Sequence, residues 1–224
     1  VFLQRRVAGM AFAGGMTVFP GGGVDPRDAD ATVAWAGPDA GFGAEGFGCS
    51  TGLARALVCA AVRETFEECG VLLAGPSADT VVDDAVTFHD ARERLAAREL
   101  SLAEFLDAAG LVLRADLLRP WSSWVTPEQE PRRYDARFFL AGMPAGQRAD
   151  GATSEAQSTA WSRPRQVLAD VDAGRMMMMP PTMYTLRELS GFGTVAGALA
   201  AERQILRVAP QLVVDDDGAR VEFT

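Results

Sequence analysis

Lysine is absent from this 224-residue chain, so all 21 basic side chains are arginine. Any phosphate contact must therefore be made by guanidinium groups, whose planar forks suit bidentate pairing with phosphate oxygens. Histidine occurs once, at His89, which leaves almost no room for a histidine-dependent catalytic triad. Basic charge is also in deficit, with a formal net charge of −9, whereas a nucleic-acid partner would call for a basic surface. No apolar run approaches the ~20 residues that cross a bilayer, and no secretory signal pattern is present. A membrane partner is not expected, and the expected location is cytoplasmic. Cysteine is scarce: Cys49, Cys59 and Cys69 are an odd set with no metal-ligand pairing, which fits reduced thiols in that compartment. The chain opens at Val1 without an initiator methionine, so an N-terminal segment is expected to be missing or processed.

What is present is a core and one unusual helix. A hydrophobic content of 48% and the chain length favour a single elaborated domain over residues 1–224. Ala54, Leu57, Val58, Ala61, Val62, Thr65, Phe66 and Cys69 recur at three- and four-residue steps, which predicts an amphipathic helix over about 54–69, stopped by Gly70. Glu64, Glu67 and Glu68 share a face about a third of a turn from that apolar stripe. Like charges at this spacing cost ~0.2–0.5 kcal/mol per pair, and acids near a helix C-terminus oppose its dipole. A hard divalent cation such as Mg²⁺ held by the carboxylates would remove both penalties. A solvated acidic face is the plainer alternative.

Upstream lies Phe19-Pro20-Gly21-Gly22-Gly23-Val24-Asp25-Pro26-Arg27-Asp28. Together with Arg63-Glu64-Thr65-Phe66-Glu67-Glu68-Cys69-Gly70 it resembles the Nudix box, in which Gly, five residues, Glu and seven residues precede Arg-Glu-U-x-Glu-Glu-x-Gly-U, with U bulky and apolar. Gly22 is followed after five residues by Asp28, and Arg63, Glu64, Glu67, Glu68, Gly70 and Val71 fill the second half. Asp28 stands where the pattern has Glu, and Thr65 stands at an apolar position. Ala29 to Val62 makes 34 residues where the pattern has seven, an insertion of 27. A box split in this way is most similar to the coenzyme A diphosphatase-like subgroup of Nudix hydrolases.

The resemblance implies an α/β fold, the Nudix α/β/α sandwich with a mixed β-sheet, helical insertions and a C-terminal hairpin. It implies a metal-dependent hydrolase of nucleoside diphosphate-linked compounds, with Mg²⁺ or Mn²⁺ on Glu64, Glu67 and Glu68, Arg63 bracing the carboxylates, and Glu64 or Glu155 taking the proton from water. Gly21 and Gly22 let backbone approach a ligand. Arg133 and Arg137 are candidates to hold phosphate, and Trp124 or Tyr134 to stack on a base, unless these aromatics only fill core. The implied substrate is coenzyme A or acyl-coenzyme A, cleaved to 3′,5′-ADP and (acyl-)4′-phosphopantetheine. Three features point to it: the split box, the Trp-x-Thr-Pro, paired-Arg and Phe-Phe pattern between Trp124 and Ala141, and Gly15 followed after three residues by Phe19-Pro20-Gly21-Gly22, which matches the end of a coenzyme A-recognition pattern. That pattern also has an arginine four residues before the glycine. Here Ala11 stands there, and Arg6 is the nearest upstream guanidinium that a loop could bring to a 3′-phosphate. The alternatives are a pyrophosphatase acting on ADP-ribose, NADH or another nucleotide sugar, and a non-catalytic Nudix ligand sensor, which would not need all three acids. Diphosphate isomerisation fits less well, since no reactive cysteine is identifiable.

Elsewhere, the insertion over 29–51 reads as a surface loop with a short helix around 29–35, and Trp35 and Phe47 bury themselves on the parent domain or in a homodimer contact. The segment 83–110 reads as a helical insertion, split near 99–102, with His89 on a helix surface. Strands are expected over 1–6, 16–19, 71–73, 117–125, 132–141 and 158–162. Helices are expected over 164–172, over 183–189 with Thr182 as cap, and over 195–206. A terminal hairpin pairs 211–214 with 220–223 around Asp217-Gly218. Met176 to Met179 are gap filler, or else a soft wall for a pantetheine or acyl arm.

Overall fold

In the computed structural model, which describes residues 1–10, 13–215 and 218–222, the chain begins with β1 (Phe2–Arg6) and β2 (Thr17–Val18). It continues through β3 (Trp35–Ala36) and α1 (Ala40–Phe47) into the long helix α2 (Thr51–Cys69). β4 (Ala74–Gly75), α3 (His89–Ala96), α4 (Leu102–Ala109), β5 (Val112–Arg114), β6 (Leu118–Val125) and β7 (Asp135–Ala141) follow. β8 (Ala156–Trp161), α5 (Pro164–Asp172), α6 (Pro180–Leu189), α7 (Val195–Leu199), β9 (Arg207–Val208), β10 (Gln211–Asp215) and β11 (Gly218–Glu222) come last.

The strands form mixed sheets, as expected. β1 lies between antiparallel β2 and β8, so that Gln4 faces Val18 on one side and Thr159 on the other. β5 lies between parallel β3 and antiparallel β4, and β6 between antiparallel β7 and parallel β9. β10 and β11 pair as the terminal hairpin. Asp217 and Phe223, assigned to that hairpin from sequence, lie outside the described residues.

α2 organises the core. The Ser50 hydroxyl accepts the Leu53 amide at 3.2 Å, which starts the helix at Thr51 rather than at Ala54, where the apolar periodicity begins. Gly70, at φ 71°, ends it, and its amide donates to the Phe66 carbonyl at 2.9 Å. Val62 and Phe66 are fully buried, and the Phe66 ring stacks on Phe105 of α4 at 5.6 Å between centroids. Thr65, the polar residue at an apolar position, donates its hydroxyl to the Ala61 carbonyl at 2.7 Å, so burial strands no polar group.

Several expectations need correction. The segment 29–51 is not a loop: it supplies β3 and α1 and buries Val33, Ala36, Ala40, Ala44 and Phe47. Residues 71–73 are buried but form no strand, because Gln147 takes the place of a neighbouring strand, accepting the Leu72 amide at 2.8 Å and donating to the Leu72 carbonyl at 2.9 Å. Thr182 caps nothing: α6 starts at Pro180, a residue preorganised for the first helical position, and Thr182 is buried inside the helix. The helix expected over 195–206 stops at Leu199, and Arg203 is drawn over the Trp121 ring at 3.9 Å and onto Glu188 at 2.9 Å. By contrast, the 83–110 segment is two helices as read, with His89 exposed beside Glu93. Met176 and Met178 fill space around Leu3, Val167 and Leu186, while Met177 is exposed.

Candidate functional site

The C-terminal half of α2 meets the glycine turn that follows β2, and Arg63 ties the two together. Arg63 is only 9% exposed, yet all five of its donor hydrogens have acceptors. Nε and Nη2 donate to the two oxygens of Asp28 at 3.0 and 2.9 Å. Nη2 also reaches the Gly23 carbonyl at 2.8 Å, and Nη1 reaches Oε1 of both Glu64 (2.9 Å) and Glu67 (3.1 Å). Asp28 sits at the end of a 3₁₀ turn, Pro26–Ala29, where it also accepts the Asp25 amide at 2.8 Å. The shorter aspartate therefore meets Arg63 because its own turn carries it there. Burial disfavours the Arg63 charge, but Asp28, Glu64 and Glu67 together hold its pKa above the ordinary value.

Glu68 is held differently. Its Oε2 accepts the Gly21 amide at 2.7 Å and Nε2 of Gln4 at 2.6 Å. Burial nonetheless pushes the carboxyl up to about 7, against those two hydrogen bonds. Glu64 and Glu67 are also raised, chiefly by burial, with Arg63 opposing the shift in both. Glu155 adds its charge to the repulsion at Glu64 and Glu68, which brings this loop acid into electrostatic reach of the helix acids. Its carboxylate pairs with Arg6 at 3.2 Å. Gly22 matters by contact: a Cβ there would lie 2.4 Å from the Glu64 carboxylate oxygens, so a side chain at this position would push that acid from its place on Arg63.

Among the described residues, no three His, Cys, Asp or Glu side chains are gathered closely enough to hold an ion as they stand. Arg63 draws one oxygen each of Glu64 and Glu67 to itself, and Glu68 is held by the glycine turn. The second carboxylate oxygen of each acid receives no hydrogen bond from the described residues.

The other expected site residues are placed apart. Arg137 forms a bidentate pair with Asp135 and lies 5.8 Å from the Phe47 ring centroid. It shares its strand face with Phe139, which packs edge-on against Phe47, whereas Phe138 packs against Phe19 beside the glycine turn. Arg137 thus anchors α1 and does not face the acids. Trp124 is buried against Tyr184 of α6, in the core role that is one of the two readings its sequence leaves open. Arg133 donates to the Thr126 carbonyl at 3.1 Å and, with Arg207, lines a cavity of about 540 Å³ at the end of β6. Arg6, the substitute phosphate ligand, is engaged with Glu155, and Ala11 lies outside the described residues. Gln4 was not foreseen. Both Leu3 and Gln4 of β1 are buried, so no alternation of polar and apolar residues set Gln4 apart.

Residues 51–189 match the model of the NUDT19 Nudix domain. The chain belongs to the Nudix hydrolase family. The matched span holds the acid helix and Glu155, and the glycine turn with Asp28 precedes it. Among similar Nudix proteins is a putative Nudix hydrolase 7 of Caenorhabditis elegans, 28% identical over 85% of this chain and 55% of that protein. The acyl-coenzyme A diphosphatases NUDT19 of Xenopus laevis and Homo sapiens are each 28% identical over 62% of this chain and 40% of their own lengths. The chain thus spans about half the length of the curated relatives it matches. A Nudix hydrolase crystal structure from Alicyclobacillus acidocaldarius superposes with a TM-score of 0.71 at 27% identity, covering 91% of this chain and 88% of that one. No helix among the described residues is long and apolar enough to cross a membrane.

Proposed function

We propose that this protein hydrolyses the diphosphate of coenzyme A or acyl-coenzyme A, with Mg²⁺ or Mn²⁺, to 3′,5′-ADP and (acyl-)4′-phosphopantetheine. The observation that carries the reading is the Arg63 fork, which gathers Asp28, Glu64, Glu67 and the glycine turn around one guanidinium. The Xenopus and human relatives, acyl-coenzyme A diphosphatases by name, support the choice of substrate.

The donor set suits a hard divalent cation, because Glu64, Glu67 and Glu68 are oxygen ligands whose negative charge, with Asp28, exceeds what the single Arg63 guanidinium balances. Such an ion, when bound, neutralises diphosphate charge and acidifies a water molecule. The protein's own groups do the rest. Arg63 holds Glu64 and Glu67 in fixed rotamers, and Gly21 and Gln4 fix Glu68. Gly21 and Gly22 carry no side chain that would keep a diphosphate from the turn. Glu64 or Glu155 accepts the proton of the attacking water. Arg133, facing its cavity with Arg207, holds a more distant anionic group of the substrate.

The test is kcat/KM for coenzyme A, an acyl-coenzyme A, dephospho-coenzyme A, ADP-ribose and NADH at matched concentrations. A coenzyme A form is expected to be the best substrate. A higher kcat/KM for ADP-ribose or NADH overturns the substrate and leaves the hydrolysis intact.

A further inference from the structure

Arg92 lies on α3, in the helical insertion, outside every stretch that resembles the Nudix box. It is 7% exposed. Its Nε donates to the Glu67 carbonyl at 3.0 Å, one of the carbonyls at the end of α2 that the helix itself cannot satisfy. Its Nη1 and Nη2 grip the two Asp150 oxygens at 2.8 Å each, and Nη2 reaches the Ala152 carbonyl at 3.4 Å. Asp150 returns the contact, since its amide donates to the Cys69 carbonyl at 2.9 Å and its carboxylate accepts the Ala152 amide at 3.0 Å. Gly70 is part of the same fit: a Cβ there would lie 2.8 Å from Arg92 Nη1 and 2.9 Å from Asp150 Oδ2.

The turn that Asp150 opens ends at Glu155. There the Val7 amide donates to the Glu155 carbonyl at 3.0 Å, and Arg6 pairs with its carboxylate at 3.2 Å. One end of the turn is therefore fastened to α2 and α3, and the other to the end of β1. Glu155, unlike Glu64 and Glu68, does not ride on α2, so its place relative to them depends on these two fastenings and on the β8 strand that begins at Ala156 beside Arg6. The Arg92 end is bidentate and charge-assisted, with Arg92 buried and Asp150 partly exposed.

We propose that Arg92 is a positioning residue, which fixes the 150–155 turn to the end of α2 and thereby sets where Glu155 stands relative to Glu64 and Glu68. The inference rests on the proposed function for its catalytic meaning, though not for the clamp itself. Arg92→Lys cannot reproduce the arrangement, because one ammonium cannot hold both Asp150 oxygens and the Glu67 carbonyl in this planar geometry.

The experiment compares wild type, Arg92→Met, Asp150→Asn, Glu155→Gln and the Arg92→Met/Glu155→Gln double variant, at a temperature where circular dichroism shows all of them folded. Asp150→Asn leaves Arg92 capping Glu67 and serves if Arg92→Met does not fold. Hydrogen exchange of the 150–156 amides is expected to quicken by about tenfold or more in Arg92→Met and Asp150→Asn, with the middle of α2 unchanged. In coenzyme A turnover, Arg92→Met is expected to lower kcat by about tenfold with KM within about twofold, and the double variant to be no slower than Glu155→Gln alone. Unchanged exchange at 150–156 overturns the clamp. Additive losses, a normal kcat in Glu155→Gln, or a loss carried by KM overturns its action through Glu155. A wild-type protein that hydrolyses none of the diphosphates contradicts the proposed function instead, and the exchange measurement still decides the clamp.

Discussion

At Arg63 every donor has an acceptor, and Asp28, which takes two of them, is 2% exposed. Arg63→Lys keeps the charge but leaves Asp28 and the Gly23 carbonyl short of partners. A loss of about 1–3 kcal/mol in denaturant-monitored stability is expected, the range for leaving a buried polar group without its partner. Glu68 should behave in the opposite way. Its folded pKa of about 7 stands above the ordinary 4.5, so a folded protein in chelator loses stability as pH rises from about 4.5 through about 7. Glu68→Gln keeps an acceptor for the Gly21 and Gln4 donors and removes the charge. It is expected to be more stable than wild type in chelator above pH 7, by at most about 3 kcal/mol, with that pH dependence gone, and to have lost its turnover. Equal thermal stability of the two across that pH range would count against the buried-carboxylate account. Burial pushes the Cys59 and Cys69 thiols up to about 12. Half-buried Cys49 is therefore expected to be the first to react with a thiol reagent at neutral pH, and mass mapping of the label checks it.

At the scale of elements, the long helix and its terminator were legible because their signals are local: a 3.6-residue apolar period, a glycine stop and three acids on one face. The strands expected over 1–6, 117–125, 132–141 and 158–162 lie close to those bounds as β1, β6, β7 and β8. The insertion was misread because its composition of Gly, Ala, Asp and Pro says loop, while its burial is set by distant partners. Trp35 pairs with Leu113, and Phe47 packs on Phe139. Phe47→Ala is accordingly expected to cost about 3 kcal/mol or more in unfolding free energy, and deletion of 29–51 to unfold the domain rather than merely alter substrate choice. Native-like melting after that deletion would show the packing to be dispensable. Gly70→Ala is a second test at this scale. Alanine at φ 71° costs about 1–2 kcal/mol, and here it also presses on Arg92 and Asp150. A lowered melting temperature is expected, together with faster exchange in the 150–156 turn.

At the scale of the whole molecule, the site is a meeting of three remote stretches: the N-terminal stretch from β1 to the glycine turn after β2, the last turns of α2, and the loop that ends at Glu155. The sequence showed the acids and the glycines because they keep a fixed spacing. It could not show Gln4 or Arg92, whose partners are 64 and 58 residues away in Glu68 and Asp150. For Arg137 and Trp124 the sequence left the placement open for a related reason, since residue type alone does not tell which face of a sheet a side chain takes. The account rests on a carboxylate-held divalent ion acting on a diphosphate, and the most direct test is product formation from coenzyme A by wild type and Glu68→Gln, each in Mg²⁺ and in excess chelator. The expected result is 3′,5′-ADP and 4′-phosphopantetheine in equal amounts from wild type with Mg²⁺ alone, and turnover lower by about a hundredfold or more in Glu68→Gln. Undiminished product in chelator, or from Glu68→Gln, would contradict it.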